Sequence, residues 1–348
     1  MHKWFLPAVI MVFAGLSLLT LNSLTPDLVW RQLLFFLSGL GIFFILSKLD
    51  FFYWQKLSWP AYVILNLALL TLLLVGQTTR GITAWFVLPA GFKIQPSQLA
   101  IPLTLLTLIK FWQPQKAGQD WPHLLQLLSI LLLPAGLIFL EPDLGTVLVF
   151  LIATGTVILF QASLKQLLSL LGVASMLLFV MGLFFLAPYQ QQRLTSFFNP
   201  QTDSTNAGYN ARQALIAVGS GQLWGRGLGF GVQSHLKFLP ERQTDFIFAS
   251  FAEEWGFVGT SLLVGLYLAL LLFLLWQGWQ LTALKKTVLV YGVMMMFCCQ
   301  IIINIGMNLG LLPITGITLP LLSYGGSSLW SMMFSLGLVQ RLLIEKQL

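Results

Sequence analysis

Apolar runs close to 20 residues long recur from one end of this chain to the other. A bilayer core tolerates only segments whose backbone groups are satisfied internally, so such a chain is restricted to a bundle of spanning helices. Hydrophobic residues make up 57% of the 348 residues and mean hydropathy is +0.85, which excludes a water-soluble domain. The runs at 5–21, 30–47, 60–76, 97–112, 124–140, 144–160, 164–186, 246–276, 287–308 and 329–343 predict an all-α polytopic membrane protein. This reading gives about ten transmembrane helices in a single integral-membrane domain, 1–348. No small-residue cleavage site follows the first run, which therefore reads as a span rather than a signal peptide. A polar stretch, 187–245, parts the seventh span from the eighth and is expected to be a large functional loop.

Basic residues orient the bundle. With a cytoplasmic N-terminus the inner segments carry ten, Lys3, Lys48, Lys56, Lys110, Lys116, Lys165, Lys285, Lys286, Arg341 and Lys346. The short outer segments carry three, Arg31, Arg80 and Lys93. That bias predicts cytoplasmic termini and an extracytoplasmic long loop. Glu141, Asp143, Arg193, Arg212, Arg226, Lys237, Glu241, Arg242 and Asp245 then fall on the outer face, so the chemistry is expected outside the cytoplasm. No Walker-type phosphate loop is present. The +7 net charge is spread over many loops, favouring lipid headgroups or pyrophosphates over nucleic acid. Cys298 and Cys299 are adjacent and read as packing residues, and His2, His123 and His235 form no local metal motif.

Only 8% of residues are charged, yet the stretch 238–260 (FLPERQTDFIFASFAEEWGFVGT) holds four of the eleven carboxylates together with Arg242. Acids at the mouth of an apolar helix point to a watery, protein-lined cavity. Asp245 precedes the apolar run from Phe246 and suits either a helix N-cap or a general base. Glu141-Pro-Asp-Leu-Gly-Thr is a tight reversal in which Asp143 suits a cap, while two acids together invite a cation or basic partner. Arg80 suits a phosphate, and Pro96 suits the first turn of the fourth span. The glycine-rich run 219–231 lacks the setting of a dinucleotide fingerprint and is expected to be flexible backbone carrying Arg226. Asn304, Asn308 and the small, polar run to Ser328 read as a cavity wall.

Four ordered motifs, GYNARQALIAVGSG, FLPERQTDFIFASFAEEWGFVG, EPDLGT and NIGMNLGLLPITGITLPLLSYGGSS, resemble those of the shape, elongation, division and sporulation family of bacterial membrane proteins. The likeness spans almost the whole chain, and the wording SHLKFLPERQTDFIF is closer to the elongation branch than to the division branch. The resemblance implies a peptidoglycan glycosyltransferase that polymerises lipid II and undecaprenyl-pyrophosphate-linked glycan outside the cytoplasmic membrane. It also implies a class B penicillin-binding protein transpeptidase and elongation-complex membrane proteins as partners. By match of motif, Asp245 is the catalytic aspartate, and Arg80, Asp143, Ser323 and Ser327 belong to the substrate cavity. Arg193, Arg212, Lys237, Glu241 and Arg242 complete the candidate substrate-binding set. A divalent cation, Mg or Mn, is an expected aid to pyrophosphate departure. The family pattern Pro-Ser-Glu-Leu-Ala-Lys is here Pro96-Ser97-Gln98-Leu99-Ala100-Ile101, without the charged pair. Two rival classes are a lipid II flippase or transporter and a noncatalytic scaffold of wall enzymes.

Overall fold

The computed structural model describes residues 2–79, 82–87, 93–114, 120–184, 207–236 and 238–345. After a 3-10 turn at His2–Trp4, three long helices follow, α1 (Phe5–Leu24), α2 (Pro26–Lys48) and α3 (Phe51–Val75). A three-stranded antiparallel meander, β1 (Gln77–Thr79), β2 (Ile82–Val87) and β3 (Lys93–Ile94), then leads into α4 (Pro96–Phe111). Next come α5 (Trp121–Leu140), α6 (Leu144–Gln161), α7 (Leu164–Phe184), α8 (Ala207–Ser220) and the single turn α9 (Val232–His235). The fold closes with α10 (Ile247–Gln280), α11 (Leu284–Asn308) and α12 (Gly326–Glu345).

Each of the ten predicted spans coincides with a helix, and eight helices are long and apolar enough to cross a bilayer. The exceptions are α4, with 16 residues, and α7, whose apolar described part is short. Boundaries differ most at α3, which begins at Phe51 rather than near residue 60 because Pro60 is accommodated inside the helix. Pro102 and Pro134 are interior in the same way. Each removes one backbone donor, a loss that neighbouring helices make tolerable in spanning segments. The meander was not legible as strands. Its register, Gln77 opposite Trp85 and Phe86 opposite Ile94, brings the chain back over itself before Pro96 starts α4.

Of the eight bilayer-length helices among the described residues, α11 and α12 are the most enclosed, 67% and 78% buried over their apolar windows, against 28% for α2, α3 and α10. They form the bundle's interior wall. The two ends differ in chemistry. At one, Gln340 Nε2 donates to Lys3 O (2.9 Å), Lys286 pairs with Glu345 (2.8 Å) and Arg341 with Asp50, so both termini lie together. At the other lie the meander, the α5–α6 turn, the 241–246 turn and the 309–325 connection.

At this second end α10 is broken. Gly256 has φ 65° and ψ −168°, a conformation open to glycine and not to other residues. The glycine-rich run docks into the break. Phe257 N donates to Gln222 O (2.8 Å) and Val258 N to Leu223 O (3.1 Å), while Arg226 N reaches Glu253 O (2.9 Å) and Gly227 N reaches Glu254 O (3.1 Å). The flexible backbone expected there is in fact bonded: its glycines allow backbone to meet backbone. At Gly225, with φ +83°, a Cβ would collide with the Glu254 carbonyl.

Gly225→Ala should therefore lower thermal stability in detergent sharply, since the positive φ alone costs about 1–2 kcal/mol and the clash adds to it. Gly172→Ala on α7, where a Cβ meets nothing within 4 Å, should change it little. Equal melting temperatures for the two variants would contradict this docking.

Candidate active site

The turn before α10 is built by its own polar groups. Thr244 N and Phe246 N both donate to Glu241 O (3.1 and 3.2 Å), and Thr244 Oγ1 donates to Glu241 Oε2 (3.1 Å). Phe246, not Asp245, holds the N-cap position of α10, and its own side chain makes no capping hydrogen bond. The capping reading of Asp245 is thus corrected. Instead its backbone is clamped from behind by α11: Asn304 Nδ2 and Asn308 Nδ2 each donate to Asp245 O at 3.0 Å. The two asparagines stand four residues apart on one helix face and are fully buried.

Their remaining bonds join the clamp to its surroundings. Asn304 Nδ2 also reaches Ile317 O (2.7 Å), and Asn308 Oδ1 accepts from Ala249 N (3.1 Å). From the far side Ser323 Oγ donates to Thr244 O (2.7 Å) and Tyr324 N to Gln243 O (2.9 Å). The half-buried Asp245 carboxylate lies beside Gly316, where a Cβ would come within 3.7 Å of Oδ2. The φ of +79° at Gly316 is what favours glycine there.

Asp143 is the cap the sequence suggested. Its oxygens accept from Thr146 N (3.0 Å) and Thr146 Oγ1 (2.7 Å) at the start of α6, and from Gln95 Nε2 (3.0 Å). Gln95 N in turn donates to Ser327 Oγ (2.9 Å), tying the entry of α4 to that of α12. A Cβ on Gly145 would press on Ile317 and the Thr315 carbonyl, so the α5–α6 turn abuts the same 315–317 segment that flanks Asp245. Between these anchors sits Glu141, fully buried, with neither carboxylate oxygen hydrogen-bonded among the described residues. Burial, with the Asp143 charge second and the adjoining Ser97 hydroxyl opposing, pushes its carboxyl up from 4.5 to about 8.

The other acids of the 238–260 stretch are anchors. Glu253 accepts from Gln233 N (2.8 Å), Ser234 N (3.0 Å) and Ser234 Oγ (2.6 Å). Glu254 accepts from Ser23 Oγ and from Gly229 N (3.2 Å), with His235 Nε2 at 3.2 Å. Arg242, a candidate for substrate, is buried, and its guanidinium donates to the carbonyls of Ser234, His235 and Leu24 (3.0 Å to the last). Glu241 is half-buried in its own turn, and Arg212 is exposed on α8, which packs against α10. Ser323 and Ser327 spend their hydroxyls on backbone groups. Arg80, Arg193 and Lys237 lie outside the described residues. Ile101, at the position of the family's lysine, is 1% exposed and packs in the apolar core.

Sequence reasoning passed over Gln32, Ser17 and Gln95. Gln32 Nε2 reaches Ser323 O (3.3 Å) and Ser17 Oγ (3.3 Å), and Ser17 Oγ donates to Leu322 O (2.8 Å). The signal was there in principle, as polar residues buried inside apolar helices need partners. Among the described residues no group of three or more His, Cys, Asp or Glu gathers as a metal cluster.

A bundle of apolar helices with polar, non-helical backbone gathered at one end around a clamped, half-buried aspartate defines a polytopic membrane protein. The chain belongs to the FtsW/RodA/SpoVE family, whose model, described as a cell cycle protein, matches residues 2–348. It is 36% identical over 308 residues to the "Probable peptidoglycan glycosyltransferase FtsW" of Acinetobacter baylyi, covering 86% of this chain and 75% of that one. It is 32% identical over 335 residues to the "Peptidoglycan glycosyltransferase MrdB" of Escherichia coli K12, covering 95% and 89%. A solved structure described as "Structural coordination of polymerization and crosslinking by a peptidoglycan synthase complex" superposes with TM-score 0.82 at 32% identity, covering 98% of this chain and 97% of that one.

The Glu141 environment makes a pH prediction. Folding raises its carboxyl from 4.5 to about 8, so the folded protein keeps a proton that the unfolded chain releases between those values. The stability Glu141 contributes is complete below pH 4.5 and is lost as pH rises through about 8. In chelator, Glu141→Gln should gain thermal stability relative to the parent as pH goes from about 5 to about 9. Parallel melting curves across that window would contradict the assignment.

Proposed function

We propose that this chain is a peptidoglycan glycosyltransferase that polymerises lipid II at the outer face of the bacterial cytoplasmic membrane, in wall elongation beside a class B penicillin-binding protein transpeptidase. The carrying observation is Asp245: its backbone is fixed by Asn304 and Asn308, while its half-buried carboxylate lies beside Gly316 at the polar end of the bundle. The relatives named as peptidoglycan glycosyltransferases and the basic-residue bias that puts this end outside support the reading.

The anomeric carbon of a polyprenyl-pyrophosphate sugar is already activated, so catalysis consists of removing a proton and accommodating a departing charge. Asp245 takes the proton of the acceptor 4-hydroxyl. The freed oxygen attacks the anomeric carbon from the face opposite the pyrophosphate, the carbon–oxygen bond to pyrophosphate breaks, and the centre inverts from α to β. Arg80 and Lys237 are proposed to offset the pyrophosphate charge, and Mg or Mn supplies the same neutralisation when bound. Polyprenyl tails remain in hydrocarbon between helices. The buried clamp matters because a base displaced by about 1 Å can lose about 100-fold in rate.

Polymerisation of labelled lipid II by the purified protein, alone and with its transpeptidase, tests the reading. Asp245→Asn should cost roughly 10²- to 10⁴-fold, the span of general-base contributions. Asn308→Ala should cost less, roughly 10- to 100-fold, through a displaced base in a protein that still elutes as a monodisperse peak. An Asp245→Asn variant with parental rates would remove the central role.

A further inference from the structure

The α5–α6 turn holds a buried carboxylate whose two oxygens both lack a hydrogen-bond partner among the described residues. Glu253 is equally buried, yet its oxygens are filled by the Gln233 and Ser234 donors. Glu141 is 0% exposed and both its oxygens are unpartnered among the described residues. The hydroxyl that adjoins it, Ser97 Oγ, is also 0% exposed and has no partner but Glu141 among the described residues. A second carboxylate, Asp143, lies two residues away and is held in place by Thr146 and Gln95. Residues 95–97 thus face the acidic turn at two points, Gln95 onto Asp143 and Ser97 beside Glu141. Asp143 is only half-buried, which gives the pair an entrance.

We propose that Glu141, Asp143 and Ser97 form a binding site for one hard divalent cation at the α4 side of the active-site end. The donors are all oxygen, which suits Mg²⁺ or Mn²⁺ and not a thiolate- or imidazole-seeking metal. Two carboxylates match the charge of the ion, and the ion supplies the partners that the buried oxygens lack. Magnesium sites commonly use one or two carboxylates, with waters and substrate phosphates filling the remaining positions. If the glycosyltransferase reading holds, the outward positions would face the pyrophosphate across the 315–317 segment. The binding itself does not depend on that reading.

The test is Mn²⁺ titration of the purified full chain by electron paramagnetic resonance, with Mg²⁺ as competitor. The parent should bind one Mn²⁺ that Mg²⁺ displaces. Glu141→Gln should weaken it at least 100-fold and Ser97→Ala less, on the order of 10-fold, the lower end of what supporting groups contribute to metal sites. Glu345→Gln at the opposite end and Asp245→Asn should bind Mn²⁺ as the parent does, which separates this site from the proposed base. No bound Mn²⁺ in the folded parent, or the same affinity in Glu141→Gln, would overturn the proposal and leave Glu141 as a buried neutral acid. Loss in Asp245→Asn alone would also overturn it, by moving the cation to the aspartate.

Discussion

Everything at the active-site end depends on the backbone having a partner. Inside hydrocarbon an unpaired amide or carbonyl costs several kcal/mol, so a spanning helix is interrupted only where another group takes its place. Here α10 breaks at Gly256, and the four bonds from the 222–227 backbone fill the break. The connection from α11 to α12 carries no helix between Asn308 and Gly326, and side chains from elsewhere serve it: Asn304 at Ile317, Ser17 at Leu322, Gln32 at Ser323 and Gly325. Irregular backbone at this depth is thereby stable, and irregular backbone is what lets a carboxylate face a cavity.

The same requirement divides the charged residues into two kinds. Arg242 and Glu253 are consumed by backbone and hydroxyl groups, and Glu254 is engaged through Oε1, which makes all three structural cement for the loop over α10. Asp245 differs, because the bonds from Asn304 and Asn308 end on its carbonyl and its half-buried carboxylate lies beside Gly316. Charge inside an apolar protein is costly unless satisfied. The acids of one short stretch therefore cannot all share one role, and the division between anchor and reagent follows from which donors each one meets. Glu141 belongs to neither kind among the described residues, and that is why it stands out.

The ten spans were legible from hydropathy, since lipid leaves helices as the available structure for a chain of this composition. The importance of 238–260 was legible from charge scarcity, and the capping role of Asp143 from its place before Leu144. The Asp245 cap was misread by one residue, because N-cap position depends on where the preceding turn closes, and Glu241 O closes it one step later. The small sheet escaped notice because its strands are two to six residues long, too short for an alternating pattern to declare itself.

By itself, then, the sequence determined that the chain spans a membrane many times and where its few charges lie, because both follow from solvent preference read along one dimension. Tertiary structure decided which partners each of those charges meets. Asn308 meets Asp245 across 63 positions, Ser323 meets Thr244 across 79, and Gln95 meets Ser327 across 232. Partners so distant leave no periodic trace, and only helix packing brings them within hydrogen-bond reach.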